Sequence, residues 1–502
     1  MSIQLLIIIL YFAATVVIGV LAGKRSAKSG DSFHGAGMGI LAIVAASTGE
    51  WLGGTATTGV SEYGFDFGLS GAWYTISNGI GVIFLAMLFA KLYRSLNSVT
   101  VPGIIGKFLG VKARTVSSVF LTFVMIAVGI SQMIAAGSLG VSLLGLDFNL
   151  VCVVFAIVFI VYTLAGGMAA VASTNVMHLI FMYGGVLLAI VLSMAKVGGV
   201  GGFMSGIAAV EAAEAGKNYF NMFSIGVPKV SSWVIASLLG ACTAQAGIQP
   251  VLAAKDVPTA KKACIITAFV AAPFGLFTAT LGMVAKVMSH NGTLINTAGE
   301  VVTSGKLALP TLMMNLHPIA GGIVLASILA AILSTVSPLI LAAGTMLTKD
   351  IYQGVIRKDA TDGQVLKMSR ITTALSGVLC AVAAILINGA GIRVLDIVYF
   401  AYSMRGALFV VVLLGIYYKK TSQKGAIAGM LCTAAVGAFW VIYNGVVGHF
   451  PIHPAISETY AAVVVAFVST FVFSQIFRVT DEEKIMKKEV HEEITAAMNA
   501  TK

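Results

Sequence analysis

Long apolar stretches recur along almost the whole 502-residue chain, and they limit its fold more than any other feature. Charges, Pro/Gly clusters and polar runs divide the sequence into about thirteen such stretches, most near the ~20 residues that a membrane-spanning helix needs. Their approximate bounds are 3–22, 39–60, 71–90, 116–145, 149–165, 173–195, 231–253, 264–287, 319–346, 371–388, 392–417, 425–445 and 456–477. Only 10% of the residues are charged, against about 25% in soluble domains. We therefore predict an all-α membrane protein with about 13 transmembrane helices.

The distribution of basic residues predicts the orientation of the chain in the membrane. Lys24, Arg25 and Lys28 follow the first apolar stretch and no basic residue precedes it, which favours a retained first helix with its N-terminus outside. Most of the 31 Lys and Arg residues then lie in inner loops. The outer loops contain Lys196, Lys217, Lys229 and Lys306. The formal net charge of +11 is thus explained by topology rather than by nucleic-acid binding, and the C-terminus is expected in the cytoplasm.

Two of the predicted spans contain helix-breaking residues near their middle. Residues 45–55 hold three glycines among small polar residues, and residues 240–250 end in a Gly-x-x-Pro run. Helix breaks at membrane depth occur only where the freed backbone lines a cavity or is buried in protein. The two spans lie five apart and so cross in opposite senses. This arrangement is typical of transporters built from two inverted five-helix repeats, which bind solute between their broken helices.

The broken spans also suggest how the chain is divided. The predicted units are a first helix and inner loop (1–38), a first inverted repeat (39–195), an outer loop (196–230), a second inverted repeat (231–417), two peripheral helices (418–478) and a cytoplasmic tail (479–502). We interpret the tail as a solvated, charged surface helix that begins at Thr480 or Asp481. The five cysteines lie at or within predicted spans and form no CxxC pair, so neither disulfides nor zinc are expected.

Span nine carries the pattern most suggestive of an ion site. In a helix, Ala331 precedes Ser334 and Thr335 by three and four residues, so its carbonyl and both hydroxyls share one face. Uncharged oxygens of this kind suit sodium, a small hard cation that binds several of them. The remaining ligands are expected to be carbonyls of broken span two, at Val44 and Ser47, with a shift of one residue as the alternative. Taken alone, however, such a Ser-Thr pair usually bonds the carbonyl one turn before it.

Further motifs accompany this pattern. They are Leu-Ala-Ala-x-x-Ser-Thr-x-Ser at 329–337, Thr-x-Asp-x-Tyr at 348–352, Gly-Ile-Gln-Pro at 247–250, Gly-Gly-Met-x-Ala-Val at 166–171 and a Lys-x4-Gly-Ala-x2-Gly run at 420–429. Together they resemble the sodium:solute symporter family, which includes bacterial sodium/proline and sialic acid symporters. The resemblance covers nearly the whole chain. It implies a LeuT-like fold, Na+ as the coupling ion, a place in the bacterial plasma membrane, and Ala331, Ser334 and Thr335 as sodium ligands beside two carbonyls of span two.

The sequence departs from the family pattern at one informative place. Where several members carry Asp-x-x-Gln after the Gly-Gly turn, this chain has Asn175 and His178, although Ser337 is retained. In some relatives that Asp is proposed to serve a second ion, and its absence here predicts one sodium per solute. We interpret His178 as a packed side chain, with proton coupling as the alternative.

A candidate solute site lies beside the break in span two. Glu50 is the only acid well inside a predicted span, and Arg405 is the only basic residue far from span ends. Buried ionisable groups in membranes are costly and are functional candidates by default. The two groups either pair with each other or face the charged ends of a solute, and the sequence leaves both open. The predicted substrate-binding residues are Glu50, Trp51, Gln132, Gln245, Gln249, Tyr402 and Arg405.

These features predict a sodium-coupled symporter that imports a small organic solute, an amino acid or a carboxylate, by alternating access. A proton-coupled symporter and a non-transporting solute sensor are the alternatives, the sensor being disfavoured by the short segment after residue 478. No nucleotide-binding loop, metal cluster or nucleophile constellation points to an enzyme. The expected partners are the solute, sodium and the lipid bilayer, with no nucleic acid and no obligatory protein partner.

Overall fold

A computed structural model of the chain describes residues 3–26, 38–96, 98–214, 216–390 and 392–499. Within these ranges the chain is helical, and its only β-structure is two isolated bridges. The helices of the first half are α1 (Ile3–Ser26), α2 (Ile40–Trp51), α3 (Val60–Phe67), α4 (Trp73–Phe84), α5 (Ala90–Ser95), α6 (Val101–Leu144), α7 (Phe148–Lys196) and α8 (Gly199–Ala213). The helices of the second half are α9 (Val227–Gly240), α10 (Gln245–Leu252), α11 (Val257–Ala271), α12 (Phe274–His290), α13 (Gly305–Met314), α14 (Pro318–Met346), α15 (Asp362–Ile387), α16 (Val394–Tyr417), α17 (Gln423–Val447), α18 (Glu458–Ile476) and α19 (Asp481–Asn499).

Short turns of other helical types join several of these elements. The π-helical turns are Thr55–Gly59 before α3, Leu85–Phe89 between α4 and α5, and Leu347–Ile356 after α14; the 3₁₀ turns are Gly68–Ala72, Ala241–Thr243 and Asn388–Ala390. The predicted outer loop 196–230 is partly helical, because it contains the 15-residue helix α8. Part of the predicted inner loop after the first helix, residues 27–37, lies outside the described residues.

Many of the described helices are long and apolar enough to cross a membrane, and the count of about thirteen crossings stays a prediction. Among the described residues, nine helices are long and apolar enough to cross a membrane, and ten if the bent pair formed by Val227–Thr243 and Gln245–Leu252 is one span. Two predicted spans, 149–165 and 173–195, fall within the single 49-residue helix α7. At 1.5 Å per residue this helix contains ~74 Å of chain, well over the ~30 Å of one bilayer core.

Both predicted helix breaks are present. Helix α2 ends at Trp51, and Leu52 leaves helical geometry with φ −112° and ψ 38°. In the second broken span, α9 ends at Gly240 and α10 restarts at Gln245 after Ala244, whose ψ is 83°. The two halves of that span are bent by 42°. The breaks fall where the sequence concentrates glycine and small polar residues.

Polar side chains from other helices bond the backbone freed at these breaks. Gln132 of α6 accepts a hydrogen bond from the Gly54 amide at 2.7 Å and donates to the Thr55 hydroxyl at 2.6 Å. At the second break, the Tyr93 hydroxyl donates to the Cys242 carbonyl at 2.9 Å. Interrupted helices are tolerated in a membrane only when such partners replace the lost intrahelical bonds.

Helix α14 forms the centre of the bundle. Every residue from Val324 to Met346 is buried, and the helix packs against α1, α2, α6, α7 and α15. By contrast, α17 and α18 lie at the periphery and expose large apolar side chains such as Phe439, Ile442 and Val464. Exposed apolar surface of this kind suits contact with lipid. The ion-site motif of span nine is thus in the helix that is shielded most completely from lipid.

The tail forms the predicted helix, but the structure does not leave it free in solvent. Thr480 and Glu483 form a capping box, in which the Thr480 amide donates to Glu483 Oε2 at 2.9 Å and the Thr480 hydroxyl accepts from the Glu483 amide at 3.3 Å. Lys487 donates to the Thr421 carbonyl, and Val490 is 7% exposed. Most of the described side chains of α19 are exposed, as expected of a surface helix, while one face packs on α6 and on the turn before α17.

Candidate functional site

The three predicted ion ligands of span nine converge as the sequence indicated. The Ser334 hydroxyl donates to the Ala331 carbonyl at 2.8 Å, and the Thr335 hydroxyl lies 3.3 Å from the same oxygen. All three residues are at most 1% exposed. This is the i−3/i−4 bonding that Ser and Thr commonly make in membrane helices, so the contact alone does not distinguish an ion site from ordinary packing.

The contact between α14 and broken span two is more specific. The Thr335 hydroxyl also donates to the Gly49 carbonyl, so a hydroxyl of α14 meets a backbone oxygen of α2. A Cβ at Gly49 would overlap with the Ser334 carbonyl and with Asn175 Nδ2. Glycine is therefore required here for the close approach of the two backbones. The arrangement brings the hydroxyls and carbonyls of two helices to one buried point.

Val44 and Ser47 lie in regular α2, before the break rather than within it. Both are buried, and the Ser47 hydroxyl donates to the Gly247 carbonyl of α10 at 3.0 Å. The span-two carbonyl bonded to α14 belongs to Gly49, two residues beyond Ser47. The Thr48 hydroxyl has no hydrogen-bond partner within the described part of the chain. The ligand roles of Val44 and Ser47, and the register of the pair, remain predictions.

The two departures from the family pattern have different surroundings. Asn175 Nδ2 donates to the Ser334 carbonyl at 3.2 Å, which places this amide beside the candidate ion site. In the described residues neither Asn175 Oδ1 nor the Ser337 hydroxyl has a hydrogen-bond partner. His178 shares a hydrogen bond with the Tyr11 hydroxyl of α1. This contact supports the interpretation of His178 as a packed side chain.

Glu50 and Arg405 form a buried ion pair. Arg405 Nη1 lies 3.1 Å from Glu50 Oε1, and both side chains are 0% exposed. The pair joins the end of α2 to the middle of α16, across 355 positions of sequence. Three of its polar atoms, Glu50 Oε2 and Arg405 Nε and Nη2, have no hydrogen-bond partner in the ranges that the structure describes. Buried polar groups are nearly always bonded, and other buried side chains of the described residues, such as Asn78 and Asp350, also hold atoms without a partner.

Aromatic rings surround the guanidinium group. Arg405 Cζ lies 3.6 Å from the centre of the Tyr402 ring and 5.2 Å from that of Trp51. The Tyr402 hydroxyl is 3.0 Å from the Tyr74 hydroxyl, and Tyr399 stacks on Trp233 with a centroid distance of 4.2 Å. Cations over aromatic faces are stabilised electrostatically. Glu50, Trp51, Tyr402 and Arg405 are thus brought together as predicted.

Tyr74, Trp233 and Tyr399 belong to the same aromatic cluster but were not predicted. One sequence signal was available for Tyr399, which precedes Tyr402 by three residues and so lies on the same helix face. Tyr74 and Trp233 lie on other helices, and their proximity depends on the packing of α4 and α9 against α16.

The three predicted glutamines have structural partners. Gln132 bonds the backbone at the break of span two, as described above. Gln245 accepts from the Val101 amide at 2.8 Å and donates to the Val99 carbonyl at 3.2 Å, so it holds the segment that leads into α6. Gln249 Oε1 lies 3.5 Å from Gln245 Nε2. Contact of these residues with a solute remains a prediction.

Comparison with known proteins identifies the chain. A model of the sodium:solute symporter family matches residues 33–433. The chain belongs to this family. It is 25% identical over 460 residues to a sodium/glucose cotransporter of Vibrio parahaemolyticus, with 87% of this chain and 84% of the relative covered. It is 27% identical over 443 residues to the high-affinity proline transporter PutP of Bacillus subtilis (strain 168), with coverage of 85% and 89%.

Solved structures show the same fold at low sequence identity. A Na+-coupled sialic acid symporter aligns with a TM-score of 0.77 and 18% identity, covering 95% of this chain and 98% of the other. Mhp1, a nucleobase-cation-symport-1 family transporter, aligns with a TM-score of 0.57 and 12% identity, with coverage of 91% and 97%. The predicted LeuT-like, all-α membrane fold is thereby confirmed. Family membership also confirms Na+ as the coupling ion, and the relatives are transporters rather than enzymes.

Proposed function

We propose that this symporter imports a small organic solute, an amino acid or a carboxylate, together with sodium by alternating access. The contact that carries the proposal is the Thr335 hydroxyl of α14 bonded to the Gly49 carbonyl of α2, one residue before Glu50 of the buried ion pair. Ion site and solute site therefore share α2. A cation bound between α14 and α2 would set the position of the same segment that contacts the solute.

In the proposed mechanism, sodium is held by the Ala331 carbonyl and by the hydroxyls of Ser334 and Thr335. The carbonyls of Val44 and Ser47 supply the remaining ligands. The Thr335 hydroxyl now donates to Gly49, and rotation of its hydrogen would turn a lone pair toward the cation. Because the ligands come from two helices, sodium stabilises the conformation in which α2 and α14 are in contact. The membrane potential adds roughly 2.3 kcal/mol per charge for each 100 mV.

The proposed orientation places the N-terminus outside and the C-terminus in the cytoplasm of a bacterial plasma membrane. The excess of Lys and Arg in the predicted inner loops supports it. We also propose that residues 39–195 and 231–417 are the two inverted repeats. The breaks at Leu52 and Ala244 then occupy corresponding positions, five predicted spans apart.

The relatives are consistent with a polar organic solute but differ in what their names say they carry. One is a proline transporter, one a sodium/glucose cotransporter, and the structural relative a sialic acid symporter. A buried guanidinium beside a carboxylate favours a charged solute over a sugar. The bond between His178 and Tyr11 gives no support to the proton-coupled alternative.

Uptake into proteoliposomes tests the proposal. The purified protein is first screened with metabolites by thermal shift in sodium and in potassium, and radiolabelled hits are then assayed under an inward sodium gradient. We expect at least one amino acid or carboxylate to accumulate in sodium and not in potassium. Equal uptake under proton and sodium gradients, or binding without accumulation, would contradict sodium-coupled import.

A further inference from the structure

The free atoms of the Glu50–Arg405 pair form a defined pattern. Glu50 occupies Nη1 of the guanidinium, which leaves Nε and Nη2 unbonded within the described chain. These two nitrogens point along one edge of the planar group. That edge matches the two oxygens of a carboxylate, which it binds through parallel hydrogen bonds. The remaining free atom of the pair is an anionic acceptor, Glu50 Oε2.

The surroundings of the free guanidinium edge favour an anion. Gly240 lies against it, and a Cβ at that position would stand 3.0 Å from Arg405 Nε. Gly240 is the last residue of α9, and Thr243 in the following turn donates to the Arg405 carbonyl at 2.5 Å. Two residues later α10 begins, without a side-chain cap at its N-terminus. The positive end of this half-helix adds to the attraction for a carboxylate.

The surroundings of Glu50 Oε2 favour a cation. Helix α2 ends one residue after Glu50, so the negative end of the helix lies beside the carboxylate. On the opposite side, Gly247 of α10 approaches Glu50 and Trp51, with 3.4 Å between an added Cβ and Glu50 Cγ. The Glu50 side chain therefore lies between the end of α2 and the backbone of α10.

These observations point to one ligand class within the proposed function. We infer that the solute is a zwitterion, an amino acid whose carboxylate binds Arg405 Nε and Nη2 and whose ammonium group binds Glu50 Oε2. A plain carboxylate would leave Glu50 Oε2 unpaired and repelled by the new anion. An amine without a carboxylate would leave the guanidinium edge empty.

The test compares each amino acid with its own single-charge analogues. The probes are L-proline, cyclopentanecarboxylate and pyrrolidine, and L-phenylalanine, 3-phenylpropionate and 2-phenylethylamine. A third set is L-leucine, 4-methylpentanoate and 3-methylbutylamine. Binding to the full-length protein in sodium is measured by thermal shift and by competition for uptake. In at least one set we expect both analogues to bind roughly tenfold or more weakly than the amino acid, because each leaves a buried charged group unpaired.

Three variants locate the two charged ends. Arg405→Lys keeps the positive charge but lacks the paired donors, and Glu50→Gln removes the anion at constant size. Gly240→Ala leaves both charges in place and crowds Arg405 Nε. We expect Arg405→Lys and Gly240→Ala to raise the KM for the amino acid and to leave the affinity for the amine analogue nearly unchanged. We expect Glu50→Gln to reduce the difference in affinity between the amino acid and its carboxylate analogue. Arg393→Gln is the control, because Arg393 pairs with Asp66 and lies just before the start of α16, the helix that carries Arg405.

The outcomes separate this inference from the proposed function. Thermal stabilisation by sodium alone shows that each variant is folded and keeps its ion site. If a sugar or a single-charge solute is accumulated with sodium and no amino acid competes for its uptake, the inference of a zwitterionic solute is overturned while sodium coupling stands. The same follows if Arg405→Lys and Gly240→Ala respond to sodium but bind the amino acid as the wild type does. Failure of every solute to accumulate with sodium overturns the proposed function itself.

Discussion

At the residue scale, the hydroxyls of Ser334 and Thr335 are the most direct test of the ion site. The double substitution Ser334→Ala with Thr335→Ala removes two proposed ligands and the bond to Gly49. We expect sodium to lose its stabilising effect in a thermal-shift assay and its apparent affinity in uptake to fall by at least tenfold, which is about 1.4 kcal/mol. Ser327→Ala is the control, since that hydroxyl bonds the Val324 carbonyl of the same helix at 2.7 Å. Unchanged sodium dependence in the double variant would exclude these ligands.

A second residue-scale prediction concerns the close approach at Gly49. In Gly49→Ala the added methyl group would overlap with the Ser334 carbonyl and with Asn175, so α2 and α14 must separate. We expect sodium affinity to fall although no proposed ligand atom is removed. Gly184→Ala is the matched control, because a Cβ at Gly184 meets nothing within 4 Å. Sodium titrations of uptake compare the two variants, and equal affinities would show that the backbone approach is irrelevant to the ion.

At the element scale, the break in span two depends on a side chain from another helix. Gln132→Leu removes the acceptor for the Gly54 amide and the donor to Thr55, both of which are buried. Leaving such groups unbonded costs about 1–3 kcal/mol each. We expect a lower Tm in detergent and reduced uptake, since the segment between α2 and α3 loses its position.

The control for this change is Gln475→Leu, which removes a hydrogen bond of 2.6 Å to the Tyr418 hydroxyl at an exposed site. We expect its Tm to stay near that of the wild type, because exposed groups exchange protein partners for water. A similar small effect in both variants would show that Gln132 does not support the break.

At the scale of the whole molecule, the number of sodium ions per solute follows from the charge of the site. Asn175 is neutral and directs a donor, Nδ2, at the Ser334 carbonyl, so this position supplies no anion for a second cation. We expect one sodium per solute. Reversal-potential measurements in proteoliposomes, in which the solute gradient is balanced against the sodium gradient and the voltage, give the ratio directly. A measured ratio of two would contradict the prediction and would point to the unbonded Ser337 hydroxyl and Asn175 Oδ1.

The membrane class and the two helix breaks could be predicted because they depend on local sequence. Apolar length identifies a spanning helix, and clusters of glycine or proline weaken the intrahelical bonds. Helix length is less local, and the two apolar stretches 149–165 and 173–195 lie in one helix, α7. The packed face of α19 was missed for a related reason, since a charged helix can still bury the stem of a residue such as Lys487.

What the sequence determined by itself is the set of parts: apolar helices, two interruptions, a face with three oxygens, and one acid and one base well inside predicted spans. Tertiary structure alone decided that Thr335 meets Gly49, that Glu50 binds only Nη1 of Arg405, and that Tyr74 and Trp233 join the site. The physical reason is the sequence separation of the residues that interact. Helix formation and breakage depend on neighbours within a few residues, whereas these contacts join side chains up to 355 positions apart and depend on how whole helices pack.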